Sequence, residues 1–300
     1  MSPAALFIAA IPALFVLLWS TGWIAARFAA EHVEPLTFLS IRNLTAFALV
    51  AAYALAARAA WPRRGADWAH SLISGVLSHA IYLGGVWWAV KQGLPTAVSG
   101  LIAALQPLLA TAFAAPLAGE RVSGRQWLGV AIGLAGVALV LWPKLAAAGA
   151  GLGQSMILPV IINVIAMIGV TAGTFYQKIM LKGADLRSLT ALQLLGAFLA
   201  TGAAALVIGE NLHFPVTAPV LGVLAWSVIV LSIFAWGLMM FMIRQGAVSK
   251  VSALVYLVPP TVAVQAWLMF GETLLPVQLA GMAVTAAGVF LATRSAAGAR

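Results

Sequence analysis

Gln92–Leu139 reads QGLPTAVSGLIAALQPLLATAFAAPLAGERVSGRQWLGVAIGLAGVAL, and Gln245–Leu291 reads QGAVSKVSALVYLVPPTVAVQAWLMFGETLLPVQLAGMAVTAAGVFL. At a shift of 153 residues, Gln92, Gly93, Val98, Ser99, Leu101 and Pro107 meet Gln245, Gly246, Val251, Ser252, Leu254 and Pro260. One residue then drops out. At a shift of 152, Gly119-Glu120 meets Gly271-Glu272, and Gln126, Gly129, Gly136 and Val137 meet Gln278, Gly281, Gly288 and Val289. Coinciding Ala and Leu follow from composition, but coinciding Gln-Gly, Pro, Gly-Glu and Gln do not. A repeat of about half the chain marks a doubled unit.

Composition sets the class of that unit. Of 300 residues, 63% are apolar and 8% charged, with a mean hydropathy of +1.06. Soluble domains carry about 25% charged residues. A chain this poor in charge cannot cover its own surface in water, so it is read as an integral membrane protein. The net charge of +9 lies in short loops between apolar segments, which speaks for topology and against nucleic-acid binding. With no cysteine, disulfides, thiolate metal sites and cysteine catalysis are excluded. Met1–Ala26 carries no charge and outruns the roughly 7–15 apolar residues of a signal peptide, so it reads as the first membrane helix.

A crossing helix needs about 20 apolar residues. Ten spans meet that need: Ala4–Phe28, Pro35–Ala57, Trp68–Val90, Pro95–Leu117, Gly124–Trp142, Met156–Met180, Ser188–Ile208, Val220–Ile243, Val248–Phe270 and Pro276–Thr293. The Gly/Ala-rich connection Pro143–Ser155 is expected to be flexible. It divides a first five-helix repeat, 1–143, from a second, 156–300, with 144–155 as linker. With the N-terminus inside, twelve Lys and Arg fall in inside segments against three outside, so both termini are expected in the cytoplasm. Five helices is an odd number, so the second copy enters the membrane the other way up. The expected fold is all-α, with ten transmembrane helices in two inverted five-helix repeats around a central cavity. Such halves can exchange conformations and open a central site to each side in turn, which is alternating access.

The chain resembles the drug/metabolite transporter superfamily, in its ten-helix branch with two EamA-type repeats. Pro107, Gly119-Glu120, Gln126, Gly129 and Gly136-Val137 carry the resemblance, with their twins Pro260, Gly271-Glu272, Gln278, Gly281 and Gly288-Val289. Within that branch, Trp19–Gly22 and the aromatic-rich third span look like the YddG-type exporters of aromatic amino acids. The resemblance implies a ten-helix basket with cytoplasmic termini, exporting amino acids and related metabolites across the inner (plasma) membrane.

Polar side chains within spans turn toward protein or a water-filled cavity, and so nominate a site. His79, Tyr82 and Val86 share one face of the third span at i, i+3 and i+7. His79 either holds packing through an interhelical hydrogen bond or contacts substrate, and Tyr82 offers a ring face and a hydroxyl. Gln106 precedes Pro107, which removes a backbone hydrogen bond and is expected to leave a carbonyl near Ala103 without a donor. Tyr256 with Pro259-Pro260 mirrors this in the ninth span, so Pro107 and Pro260 are the expected kinks. Arg42 either pairs with a substrate carboxylate or snorkels to Glu31 or Glu34, and Asn43 beside it faces the cavity. Trp19 and Asn163 complete the substrate-binding candidates, while Trp61, Trp68, Trp127 and Trp142 read as interfacial anchors. Gly129 and Gly133 form a close-packing pair, for a dimer or for contact within the chain, which can be a monomer.

All seven acidic residues fall in loops or at span ends. His79 is the only neutral titratable group fit to carry a proton through the membrane, and no phosphate-binding loop for ATP is present. The expected function is gradient-driven movement of a small neutral or zwitterionic metabolite, an amino acid first, out of the cell. A proton-coupled drug or metabolite exporter using His79, or a non-transporting membrane subunit, are the alternatives. No metal, cofactor or enzymatic chemistry is expected. The partners are the solute and the bilayer.

Overall fold

The computed structural model describes residues 3–118, 122–149, 156–235, 238, 242 and 257–293. These are helical: α1 (Pro3–Ala30), α2 (Pro35–Ala56), α3 (Gly65–Lys91), α4 (Thr96–Ile102), α5 (Leu105–Ala118), α6 (Gly124–Gly149), α7 (Ile157–Met180), α8 (Leu186–Ile208), α9 (Ala218–Ala235), α10 (Val258–Phe270) and α11 (Pro276–Thr293). Among the described residues nine stretches are long and apolar enough to cross a membrane, with α4 and α5 counted together, and α10 is a shorter apolar helix. Residues 248–256 of the expected ninth span lie outside the described residues, as do Glu120 and Tyr256.

Two boundaries depart from the sequence reading. The helix begun at Gly124 runs through Pro143 to Gly149 instead of ending at Trp142. Proline removes one hydrogen bond, and the following Leu145–Ala148 run has high intrinsic helix propensity. The fourth span is broken between Ile102 and Leu105. The Ala103 carbonyl, expected to lack a donor, accepts the Gln106 N–H at 3.1 Å, so a turn satisfies what Pro107 removes. Pro260 sits with Pro259 in the first turn of α10, where the missing N–H costs no helical bond.

The helices gather into two compact units. One contains Met1–Ala25, Leu94–Leu158 and Ile229–Arg300, and the other contains Ala26–Gly93 and Pro159–Val228. The sequence halves are therefore interleaved, since each unit draws helices from both copies. In the first unit α6 and α11 lie backbone to backbone. A Cβ placed on Gly288 would collide with the backbone of Gly133, and one on Gly136 would stand 2.8 Å from the Gly281 carbonyl oxygen. The small-residue stripe thus serves packing within the chain. In the second unit α3 crosses α8 as closely, with Gly75 on the Gln193 backbone and Gly196 on that of Leu72. Ala46, Leu194 and Val228 form the small core beside them, packed by Phe47, Val50 and Leu224.

The same device secures one helix start in each unit. Gly209 and Gly271 end α8 and α10 with left-handed backbone, at φ 72° and 67°, and the next N–H reaches back to Ala205 O at 2.9 Å and Ala266 O at 3.4 Å. This aims the following carboxylate at another helix. Glu210 accepts from Leu36 N at 3.1 Å, Thr37 N at 2.8 Å and Thr37 Oγ1 at 3.0 Å. Glu272 accepts from Thr96 N and Ala97 N, both at 3.1 Å. Each satisfies amides that α2 and α4 leave open, at the positive end of the helix dipole. Glu272→Ala and Glu210→Ala are each expected to lower stability by about 1–2 kcal/mol, read as a lower midpoint of denaturation in detergent. Unchanged midpoints in both would show that these contacts do not hold the helices.

Candidate functional site

In the second unit α3 lies between α2 and α7. Gly84 faces Leu36 of α2, and Gly85 faces Ile162 and Ala166 of α7. Further along, Gly169 meets Ile81 and Leu77, and Gly173 meets Ser78. α7 therefore runs antiparallel to α3, and the pairs Glu34–Lys91 and Phe38–Trp87 give α2 the same sense. Counting from the Leu36–Gly84 contact, six residues along α2 reach Arg42 and five residues back along α3 reach His79. At about 1.5 Å per residue the two stand at similar depth.

Arg42 is 7% exposed and Asn43 fully buried. Arg42 Nη1 donates to Asn43 Oδ1 at 3.2 Å. That uses the amide's acceptor, and Asn43 Nδ2 finds no acceptor among the described residues. Of the loop acids, Glu31 pairs with Arg27 at 3.6 Å and Glu34 with Lys91 at 3.4 Å. Asn163 is fully buried on α7, at the level of Gly85. His79 and Tyr82 are half-buried, while Val86 is buried. Four of the expected residues, Asn43, His79, Tyr82 and Asn163, are thus carried by three adjacent helices of one unit.

His79 also lies in a π-helical turn, Val76–Ile81, and α-helix resumes at Tyr82. The wider turn takes His79 off the strict i, i+3, i+7 stripe. At the shift of 152 that relates the copies, this turn falls within Trp226–Ala235 of α9, which is also π-helical. Single π-turns inside α-helices are frequent at functional sites. Sequence periodicity carries no signal for them.

A second polar level escapes a reading of the sequence. Gln193 Nε2 donates to Ser74 Oγ at 2.9 Å and to Gln177 Oε1 at 2.8 Å, joining α8, α3 and α7. At a shift of 151 residues Gln193 meets Arg42 in the other copy, which is the signal the sequence offers for it. Near it His70 Nδ1 and the Tyr176 hydroxyl share a hydrogen bond of 2.6 Å. At the end of this unit Asp185 caps α8 through Arg187 N and accepts from Ala60 N at 3.0 Å. The Arg187 side chain beside it holds its carboxyl well below the usual carboxylate range.

In the first unit Trp19 is half-buried and packs on Phe15 with ring centroids 5.4 Å apart. One residue on, Ser20 is fully buried, and Trp23 follows it on the same face of α1. Neither Ser20 Oγ nor Trp23 Nε1 has a partner among the described residues. Thr21 bonds its own helix at Leu18 O, as serines and threonines in membrane helices commonly do. Gln106 is half-buried at the break between α4 and α5. Pro107, Pro259 and Pro260 line an apolar cavity of about 160 Å³ with Leu101, Met282 and Val289. Trp61 and Trp68 stack at 6.0 Å, and Trp68, Trp127 and Trp142 are exposed, as anchors at span ends should be. Among the described residues no three His, Asp or Glu side chains come together to hold a metal.

Apolar spanning helices that place arginine, histidine, asparagine and glutamine at mid-length have the make-up of a multi-pass membrane transporter. The chain belongs to the EamA-like transporter family, which matches residues 5–142 and 157–294. It is similar to "Uncharacterized transporter YvbV" of Bacillus subtilis, 26% identical over 284 residues, covering 93% of this chain and 89% of that one. It is also similar to "Uncharacterized transporter sll0355" of Synechocystis, 22% identical over 91% of this chain and 86% of that one. With "Uncharacterized inner membrane transporter YedA" of Escherichia coli K12 it shares 31% identity over 130 residues, 43% of this chain and 42% of the relative. A protein of known crystal structure has the same fold, with a TM-score of 0.64 at 22% identity over 94% of this chain and 96% of that one.

Proposed function

We propose that this transporter moves small neutral or zwitterionic metabolites, aromatic and other neutral amino acids first among them, out of the cell. Two inverted repeats, 1–143 and 156–300, with both termini in the cytoplasm, would alternate access to a site between the membrane faces. The observation that carries the reading is the donor-rich pair Arg42–Asn43 at the depth of His79 and Tyr82. A guanidinium beside an amide N–H suits an acceptor-rich group such as a carboxylate. Among the described residues every Asp and Glu lies in a loop or a first turn, so the site lacks the buried acid that a polycation would want. Tyr82 offers a ring face to an apolar side chain. Asn163 completes the proposed lining within the second unit; Trp19, Gln106 and Tyr256 are proposed separately as solute contacts and Pro107 as a hinge, while Pro260 starts α10 instead of bending it.

Transport is proposed to follow the solute gradient. Proton exchange through the His79 imidazole, which can take up and release a proton near neutral pH, is the second reading. Purified protein in liposomes, loaded with an amino acid panel, separates the two. Saturable counterflow without a proton gradient is expected. Counterflow that appears only with the gradient would support the second reading, and linear, unsaturable flux would exclude a carrier cycle.

A further inference from the structure

At the Arg-rich end of the second unit, the C-terminus of α7 and the start of α8 enclose an open pocket of about 360 Å³, within the size range of small-ligand sites. Gln177, Lys178, Leu181, Lys182, Gly183 and Leu186 line it. Its two charged lining residues are both cations. Beside them Asp185 accepts from Arg187 Nη2 at 2.6 Å and from Ala60 N at 3.0 Å. That second bond brings the loop before α3, with Arg58, Arg63 and Arg64, to the same end of the unit.

Two observations say what kind of anion belongs there. Ile179, Met180 and Leu186, beside the lysines, are 54%, 42% and 45% exposed, a surface suited to acyl chains. Trp61 on the adjoining loop stacks on Trp68 in the first turn of α3, and the Trp68 indole donates to Pro62 O at 2.9 Å. Indoles of this kind settle at the headgroup level of a bilayer. Basic pockets between helices at that level take lipid headgroups.

We infer that this pocket binds the phosphate headgroup of an anionic membrane phospholipid between Lys178 and Lys182, with its acyl chains along Ile179, Met180 and Leu186. The site is separate from the solute-binding face and does not depend on what the protein transports. Native mass spectrometry of the full-length protein in neutral detergent tests it, with phosphatidylglycerol, phosphatidylcholine and inorganic phosphate as probes. Retention of phosphatidylglycerol over phosphatidylcholine is expected. Each lysine near an anionic surface contributes about fivefold in affinity, so Lys178→Gln with Lys182→Gln should cut retention more than tenfold. Arg125→Gln, an exposed cation at the start of α6 in the other unit, should leave it unchanged. The melting temperature of the double variant in detergent alone separates loss of lipid from loss of fold. Equal retention in the double variant, or an equal loss in Arg125→Gln, would overturn the site. Competition by inorganic phosphate as strong as by the lipid would overturn the lipid assignment.

Discussion

Gly288→Leu and Gly136→Leu are each expected to destabilise the folded chain by about 3 kcal/mol or more. At Gly288 the added Cβ meets the backbone nitrogen and Cα of Gly133 and stands 2.7 Å from the Gly129 carbonyl oxygen. At Gly136 it meets the backbone of Thr285 and stands 2.5 Å from Thr285 Oγ1. A side chain can rotate out of the way, but two helix backbones in contact cannot. Relief would require α6 and α11 to separate along the whole seam. Gly222, where an added Cβ would meet nothing within 4 Å, is the matched control. Gly222→Ala should melt with the wild type or slightly above it, because alanine is the better helix former. Thermal melts with size-exclusion chromatography in detergent read the difference. Wild-type melting of Gly288→Leu would mean that the seam is looser than these distances require.

The largest expected effect on transport is at Arg42. Hydrogen bonds to charged groups contribute about 1.5–3 kcal/mol, so Arg42→Ala should lower saturable flux of a zwitterionic substrate by roughly 10–100-fold. Arg42→Lys keeps the charge and loses the planar fork, and should fall between the two. An analogue with an amide in place of the carboxylate should lose much less. That contrast separates direct contact from a purely structural effect, which would depress both solutes alike. Wild-type flux of every solute through well-folded Arg42→Ala would remove Arg42 from the pathway and leave its burial as a packing matter.

Much of the fold is legible because the bilayer simplifies the code. Runs of apolar residues mark spans to within a few residues, as in Pro35–Ala56 and Pro276–Thr293. The repeat singles out Gly129, Gly136, Gly281 and Gly288, since close helix contact admits few other residues. Gly271-Glu272, at a span end, reads as either a cap or a loop salt bridge, and Glu272 caps α4. Gly209-Glu210 is the same dipeptide in the same role for α2, and no repeat match draws attention to it. The continuation of α6 through Pro143 depends on its alanine-rich tail outweighing one proline. The candidate site residues can be nominated one by one from the sequence but not as a group. Asn43, His79, Tyr82 and Asn163 come from distant segments, and only the packing of α2, α3 and α7 makes them neighbours. The π-turn at His79 and the Gln193 network depend on local register and on three-helix contact, which a linear pattern does not encode.

The interleaving of the two copies bears on how the molecule is made. Translation delivers 1–143 first, yet α6 of that segment has its glycine seam matched by α11, the last helix to emerge. Likewise α2 waits for Glu210, and α4 for Glu272, before their opening amides are satisfied. The early helices must therefore persist in the bilayer with these surfaces incomplete until the ribosome has nearly finished. Interruption of synthesis midway would strand them in that condition, a natural target for quality-control proteolysis.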